Sequence, residues 1–394
     1  MTSTPVVPPD HPFDAVDEAA LRRRRSAKWA LYPPEVLPAW VAEMDYPLAD
    51  PIATALREAI DRGDAGYASG AGMGEAFAGW AAARWGWDVN PADVHLVADV
   101  VTGIAELLRA ATAPGDAVVI EPPVYPPFGG TVRTLGRRVV EAPLTRTERG
   151  WAPDLDALAR AYASGARVHL LCSPQNPTGI VYERDALVAI ATLAERYGVL
   201  VLADEIHAPL ALPGATHVPF PTVSEAARRS AIVLTSASKA WNVAGLKAAV
   251  MIASAERPRA VLARIPPETP YHAGHLGVLA GIAAFREGDP WLAQAVAIID
   301  RNRRLLAEHL RAELPGVRYV MPQASYLAWL DCGALGLGAD PAARFLADGR
   351  VALSSGPTFG TQGSGFARLN LATSHRLLRE AVLRMKNAVR HSHA

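Results

Sequence analysis

Three polar side chains stand just beyond successive apolar runs: Asn176 after 168–172, Asp204 after 199–203, and Lys239 after 232–235. Lys239 ends the run Ile-Val-Leu-Thr-Ser-Ala-Ser-Lys, among the hydroxyls and small side chains of Ser236, Ser238 and Ala240. A lysine amine forms a Schiff base with an aldehyde cofactor, and a carboxylate can pair with a protonated aromatic nitrogen. A lysine, a carboxylate and an amide at successive strand ends therefore suit a lysine-bound pyridoxal 5'-phosphate (PLP).

Other residues extend this chemistry, each with a plainer reading beside it. The loop Ser-Pro-Gln-Asn-Pro-Thr-Gly at 173–179 has two prolines that fix φ and a glycine that permits a sharp exit, so it can hold the Asn176 amide in one place. A tight turn with a self-bonded asparagine is the alternative. Asp204 ends a buried run, where a carboxylate is costly without a partner; a pyridinium nitrogen, a helix cap or a structural ion pair would each serve. His207 can reach a phenolic oxygen of the cofactor or act as a structural donor. Thr102-Gly103 opens a helix after a strand, and helix N-termini bind phosphate through free N–H groups. Tyr125 lies in a stiff Pro-Pro-Val-Tyr-Pro-Pro stretch, suited to stacking on a flat ring or to surface packing. Arg368, on the alternating run Phe-Ala-Arg-Leu-Asn-Leu, suits a substrate α-carboxylate, or else an internal acid.

The elements that must position these residues alternate. Strands are expected at 94–97, 117–120, 168–172, 199–203 and 232–235, with helices at 102–112 and from Arg184 to a stop at Gly198. That alternation predicts an α/β fold with a mainly parallel sheet, and ligands bind beyond the carboxyl ends of such strands. Asp289-Pro290 starts a long helix with an apolar stripe that ends before Pro315. A strand at 326–331 and a terminal helix at 377–389 complete a smaller α+β unit, on which the N-terminal stretch to about Trp40 is expected to pack. The boundaries expected are 1–45 for an N-terminal arm and part of the small domain, 46–288 for a large cofactor-binding domain, and 289–394 for the small C-terminal domain. The proline-rich residues 1–12 read as a loose arm.

The chain has 394 residues, of which half are hydrophobic and a fifth charged, enough for a large core. Lysine plus arginine equals aspartate plus glutamate at 39 each, which argues against nucleic acid or an acidic membrane as partner. The basic run at 22–25 reads as a solvated helix face or a local contact. Cys172 and Cys332 match no zinc or redox spacing, so no metal is expected. No secretory signal or bilayer-length apolar run is visible, and the expectation is a cytoplasmic protein.

Taken together, Ser-Pro-Gln-Asn-Pro-Thr-Gly and Ser-Ala-Ser-Lys resemble the fold-type I PLP-dependent enzymes of the aspartate aminotransferase superfamily. The segment 40–45, Asp-Glu-Ile-His at 204–207, and 238–247 resemble its cystathionine β-lyase (carbon–sulfur lyase) branch, often grouped with class I/II aminotransferases. The resemblance covers nearly the whole chain. It implies a large domain with a seven-stranded sheet, Lys239 bonded to the cofactor, Asp204 on the pyridine nitrogen, and Asn176 on the phenolic oxygen, with His207 nearby. It places Tyr125 over the ring, Val101, Thr102, Ser236 and Lys247 at the phosphate, and Arg368 and Asp45 at the substrate. It also implies a homodimer in which Tyr67 reaches the partner's phosphate. The activity implied is α,β-elimination from cystathionine or another S-substituted L-cysteine, with amino transfer to a 2-oxo acid as the alternative.

Overall fold

The computed structural model describes residues 11–148 and 150–392. The loose arm expected at 1–12 therefore lies outside the described residues, apart from its last two positions. A seven-stranded sheet carries the fold. Its order across the sheet is Val94–Val97, Ala249–Ile252, Ala231–Thr235, Leu200–Asp204, Ala166–Cys172, Ala117–Ile120 and Arg138–Glu141. Only Ala249–Ile252 runs against its neighbours. Helices cover both faces, which is why Leu200–Asp204 and Ala231–Thr235 are buried throughout and read as unbroken apolar runs rather than alternating ones.

Helix Arg184–Tyr197 turns Leu187, Ile190, Ala191 and Ala194 inward and stops at Gly198, whose φ is +67°. Each fully buried leucine or isoleucine on such a face contributes about 1.5–3 kcal/mol. Helix Val100–Ala111 lies close on the sheet because Gly103 lacks a side chain; a Cβ there would meet Leu234 Cδ2 at 2.8 Å. That close approach sets the helix N-terminus beside the carboxyl ends of the strands.

Helix Asp289–Glu313 spans 25 residues and buries Leu292, Ala295, Ile298, Ile299, Leu306 and Leu310. It leads to a four-stranded sheet ordered Arg318–Tyr319, Leu327–Asp331, Phe366–Asn370 and Ser354–Ser355, backed by Pro341–Gly349 and His375–Ser392. The N-terminal stretch joins this part of the molecule, since Leu37–Pro38 pairs in parallel with Val351–Ala352. The basic run at 22–25 makes local contacts. Arg24 donates to the carbonyls of Met44, Asp45 and Tyr46, and Arg22 to that of Val36 and to Glu18.

Candidate active site

A cavity of about 450 Å³ opens at the carboxyl ends of the parallel strands, with Arg368 of the four-stranded sheet in its wall. Val101, Thr102, Tyr125, Asn176, Asp204, His207, Ser236, Lys239, Lys247 and Arg368 all line it. Ten side chains scattered over 268 sequence positions (101 to 368) are thus brought to one space.

Lys239 sits on a short helical turn after Ala231–Thr235, and its Nζ donates to the Ala42 carbonyl at 3.1 Å. Burial, with the Arg368 guanidinium adding to it, pushes its amine down from 10.5 to about 8. Asp204 ends its strand fully enclosed and accepts from the Ile206 N–H at 3.1 Å. Burial raises its carboxyl to about 7, against the opposing pull of that hydrogen bond and of Lys239. An acid at the limit of a strand, held there at the cost of its own charge, fits a cationic ring nitrogen as its missing partner.

Arg368 rises from Phe366–Asn370 with its guanidinium enclosed. Nη1 donates to Asn176 Oδ1 at 2.8 Å, Nη2 donates to the Trp40 carbonyl and Ser354 Oγ at 3.1 Å each, and the group lies 4.9 Å from the Phe359 ring centroid. None of these partners is a carboxylate, and burial lowers Arg368 from 12.5 to about 10. Its Nε and the Nδ1 of His207 are buried without hydrogen-bond partners. Burial, then the charges of Lys239 and Arg368, hold His207 near 3, so its ring is neutral. An unpaired guanidinium and a neutral imidazole around one enclosed space leave room for an anionic ligand and its polar edges.

The far end suits phosphate. Helix Val100–Ala111 presents its first turn, with Asp99 accepting from the Thr102 N–H at 2.8 Å and Lys247 Nζ at 2.9 Å. Burial works against the Asp99 charge, but these two donors outweigh it and keep the carboxyl below its ordinary range. Ser236 caps the turn carrying Lys239, accepting from the Ser238 N–H at 3.0 Å and donating to the Ala248 carbonyl at 2.6 Å. A helix start, two serines and a lysine form a concave, donor-rich pocket.

The loop that delivers Asn176 is fixed from within. Gln175 Oε1 accepts from the Thr178 N–H and hydroxyl, and Gln175 Nε2 donates to the Pro123 carbonyl. Gly179 has φ +71°, and a Cβ there would fall 2.4 Å from Pro322 Cβ. The Asn176 side chain is turned toward Arg368 instead of closing on its own loop.

Two expected site residues lie elsewhere. Asp45, expected at the substrate, does not line the cavity. Its carboxylate is enclosed against Lys28 Nζ at 2.9 Å and accepts from Trp29 Nε1 at 2.8 Å, leaving no free face. Tyr67 is 85% exposed, outside this chain's cavity, with the half-exposed Tyr271 ring edge-on at 6.3 Å. Among looser pocket candidates, Trp241 is fully enclosed and donates to the Gly288 carbonyl, while Tyr271 and His272 are exposed.

Sequence reasoning took the segment 40–45 as a family match but missed that Val41 and Ala42 line the cavity. Asn370 Nδ2 donates to the carbonyls of Val41 and Glu43, and Asn242 both donates to and accepts from the Met44 backbone. The Ala42 carbonyl between them also accepts from Tyr326 Oη at 3.0 Å. Asn370, the second polar residue after Arg368 on a strand whose other residues are apolar, was the available signal.

The sequence matches the family described as aminotransferase class I and II over residues 44–385. A Mycobacterium leprae (strain TN) protein named "Putative cystathionine beta-lyase" is 44% identical, over 96% of this chain and 98% of that one. Cystathionine beta-lyase PatB of Bacillus subtilis (strain 168) is 35% identical over 90% of this chain and 93% of its own. Among solved structures, cystalysin from Treponema denticola, which contains a pyridoxal 5'-phosphate cofactor, superposes with a TM-score of 0.89 at 26% identity, covering 96% of this chain and 99% of that one.

Proposed function

This chain belongs to the class I and II aminotransferase family, and from that premise we propose that it is a PLP-dependent carbon–sulfur β-lyase. Its substrate is an S-substituted L-cysteine, cystathionine among them. Water is consumed, and the products are a thiol, pyruvate and ammonia. The carrying observation is the convergence of Lys239, Asp204 and Arg368 on one cavity, in a chain that matches lyase-named relatives nearly end to end.

When bound, PLP supplies an electron-withdrawing ring that takes up the electron pair left as the Cα–H bond breaks. The remaining work falls to side chains. Lys239 Nζ would attach the cofactor and take the Cα proton; the burial that lowers its free amine to about 8 would favour the neutral base. Asp204 would hold the ring nitrogen, whose positive charge would favour the carboxylate form. Asn176 and the neutral His207 would serve the phenolic oxygen, and Tyr125 the ring. Val101, Thr102, Ser236 and Lys247 would hold the phosphate. Arg368 binds the substrate carboxylate and so orients the Cα–H and Cβ–S bonds. The Cβ–S bond then breaks, with its electron pair leaving on sulfur as thiolate.

The reading includes a homodimer, supported by a tyrosine ring as exposed as Tyr67 beside another exposed tyrosine. It also includes a cytoplasmic setting, supported by two free, buried cysteines. No helix among the described residues is long and apolar enough to cross a membrane.

Product analysis tests the reaction. Incubation of the PLP-loaded protein with L-cystathionine and with S-methyl-L-cysteine should release thiol, pyruvate and ammonia in equal amounts. Amino transfer to an added 2-oxo acid without thiol release would replace the lyase reading with an aminotransferase.

A further inference from the structure

A second cavity, of about 540 Å³, adjoins the first and shares Val41, Tyr125 and Arg368 with it. It runs away from the lysine, between the N-terminal stretch and helix Pro341–Gly349. Its volume lies within the range of about 300–1,000 Å³ found for small-molecule sites. From this continuity we propose that the cavity receives the S-substituent of the substrate, and that the preferred substituent is a flat aromatic group bearing no negative charge. The inference rests on the lyase reading and adds to it the class of thiol released.

Its walls set the preference. Tyr32 and Trp40 meet edge to face, 5.9 Å between centroids at 86°, so ring surface is turned into the space beside Tyr125 and Phe359. Aromatic groups gain from such edge-on and offset contacts beyond the area they bury. Arg368 and Asp340 are the only charged side chains among the residues lining this cavity. Arg368 stands at the shared mouth, where the substrate's own α-carboxylate is assigned to it. Asp340 accepts from Ser355 Oγ at 2.8 Å and caps its helix, so its carboxylate is held in place. A second carboxylate on the thiol half of the substrate would meet that negative charge and find no cation of its own.

Thiol release from S-benzyl-L-cysteine, S-(4-carboxybenzyl)-L-cysteine and S-methyl-L-cysteine tests the inference. Wild type is compared with Trp40→Ala and with Ala343→Trp, the latter filling the cavity from an exposed helix position. Comparing variants on the same substrates cancels differences in leaving-group acidity. Wild type should favour S-benzyl over its carboxylated analogue by about tenfold in kcat/KM, and each variant should lower the benzyl-to-methyl ratio by about tenfold. An unchanged ratio in both variants, or no discrimination against the carboxylate, overturns the assignment while the lyase reading stands. Release of no thiol by wild type from any of the three or from L-cystathionine overturns the lyase reading itself.

Discussion

Nη1 of Arg368 donates to Oδ1 of Asn176 at 2.8 Å, joining a strand of the four-stranded sheet to a loop of the seven-stranded one. The group proposed to grip the substrate and the group proposed to contact the cofactor therefore orient each other. Arg368→Ala should raise KM for the amino acid by about 10- to 100-fold, the range expected for losing a charge-assisted hydrogen-bond pair. The cofactor should remain bound, as read by its visible absorbance. Asn176→Ala should raise KM more mildly and shift that absorbance, since it removes the guanidinium's anchor as well as the cofactor contact. Wild-type KM in Arg368→Ala would place the carboxylate elsewhere.

Lys239→Ala should lower thiol release by at least about a thousandfold and abolish the borohydride-fixed mass increment of one cofactor. A mutant that still gains that mass would assign the attachment to another lysine. The amine's value near 8 carries a pH signature in the cofactor-free protein. Only the neutral amine attacks the aldehyde, so the capture rate should climb about tenfold per pH unit below 8 and level off above it. A rate that keeps climbing about tenfold per pH unit up to about pH 10 would contradict the depressed amine.

Asp204 makes the cofactor-free protein less stable as pH rises. Its carboxyl is raised from 3.8 to about 7 in the folded chain, so the native state holds a proton that the unfolded state releases in this window. Stability from this group is therefore lost between about pH 4 and 7, and the full deficit, a few kcal/mol, persists above 7. Asp204→Asn should raise the urea midpoint of the cofactor-free protein at pH 8 and match wild type near pH 4. With PLP present, wild type should gain stability and the variant much less. An Asp204→Asn protein no more stable than wild type at pH 8 would mean that the carboxylate is already compensated without a ligand.

The Lys28–Asp45 pair should prove structural. Lys28→Ala leaves the Asp45 carboxylate enclosed without its cation and should cost about 3–5 kcal/mol in denaturant unfolding. Asp45→Asn keeps a group that can accept from Trp29 but leaves the enclosed Lys28 ammonium without its counter-charge, and should cost a similar amount. Both variants should show KM values close to wild type when assayed well below their unfolding midpoints. A selective rise in KM without a stability loss would restore Asp45 to the substrate.

Much of the fold could be read from the sequence because the buried parallel strands are unbroken apolar runs with sharp punctuation. Gly198 stops its helix and Asp289-Pro290 starts another, each with chemistry visible in the residue itself. The reversed strand Ala249–Ile252 carried no mark of its direction, since an all-buried Ala-Val-Met-Ile looks alike either way. The edge strand Arg138–Glu141 was hidden by its polar ends. At the site, strand-end placement brought Asn176, Asp204 and Lys239 into view. It said nothing of Asp45, whose fate depends on a lysine 17 positions earlier that folds back onto it. Asn242 and Asn370 were equally obscure, because their partners are backbone atoms about 200 and more than 300 residues away in sequence.

The Ala42 oxygen has a consequence for engineering. It receives both Lys239 and Tyr326 from a stretch stitched to Asn242 on one side and Asn370 on the other. Sliding either half of the molecule against the other would drag the lysine's resting perch with it. Trimming the front of the protein back to residue 43 would remove that perch together with Lys28, the buried Leu21 and Trp29 and the strand Leu37–Pro38, so shortened versions should lose their shape along with it.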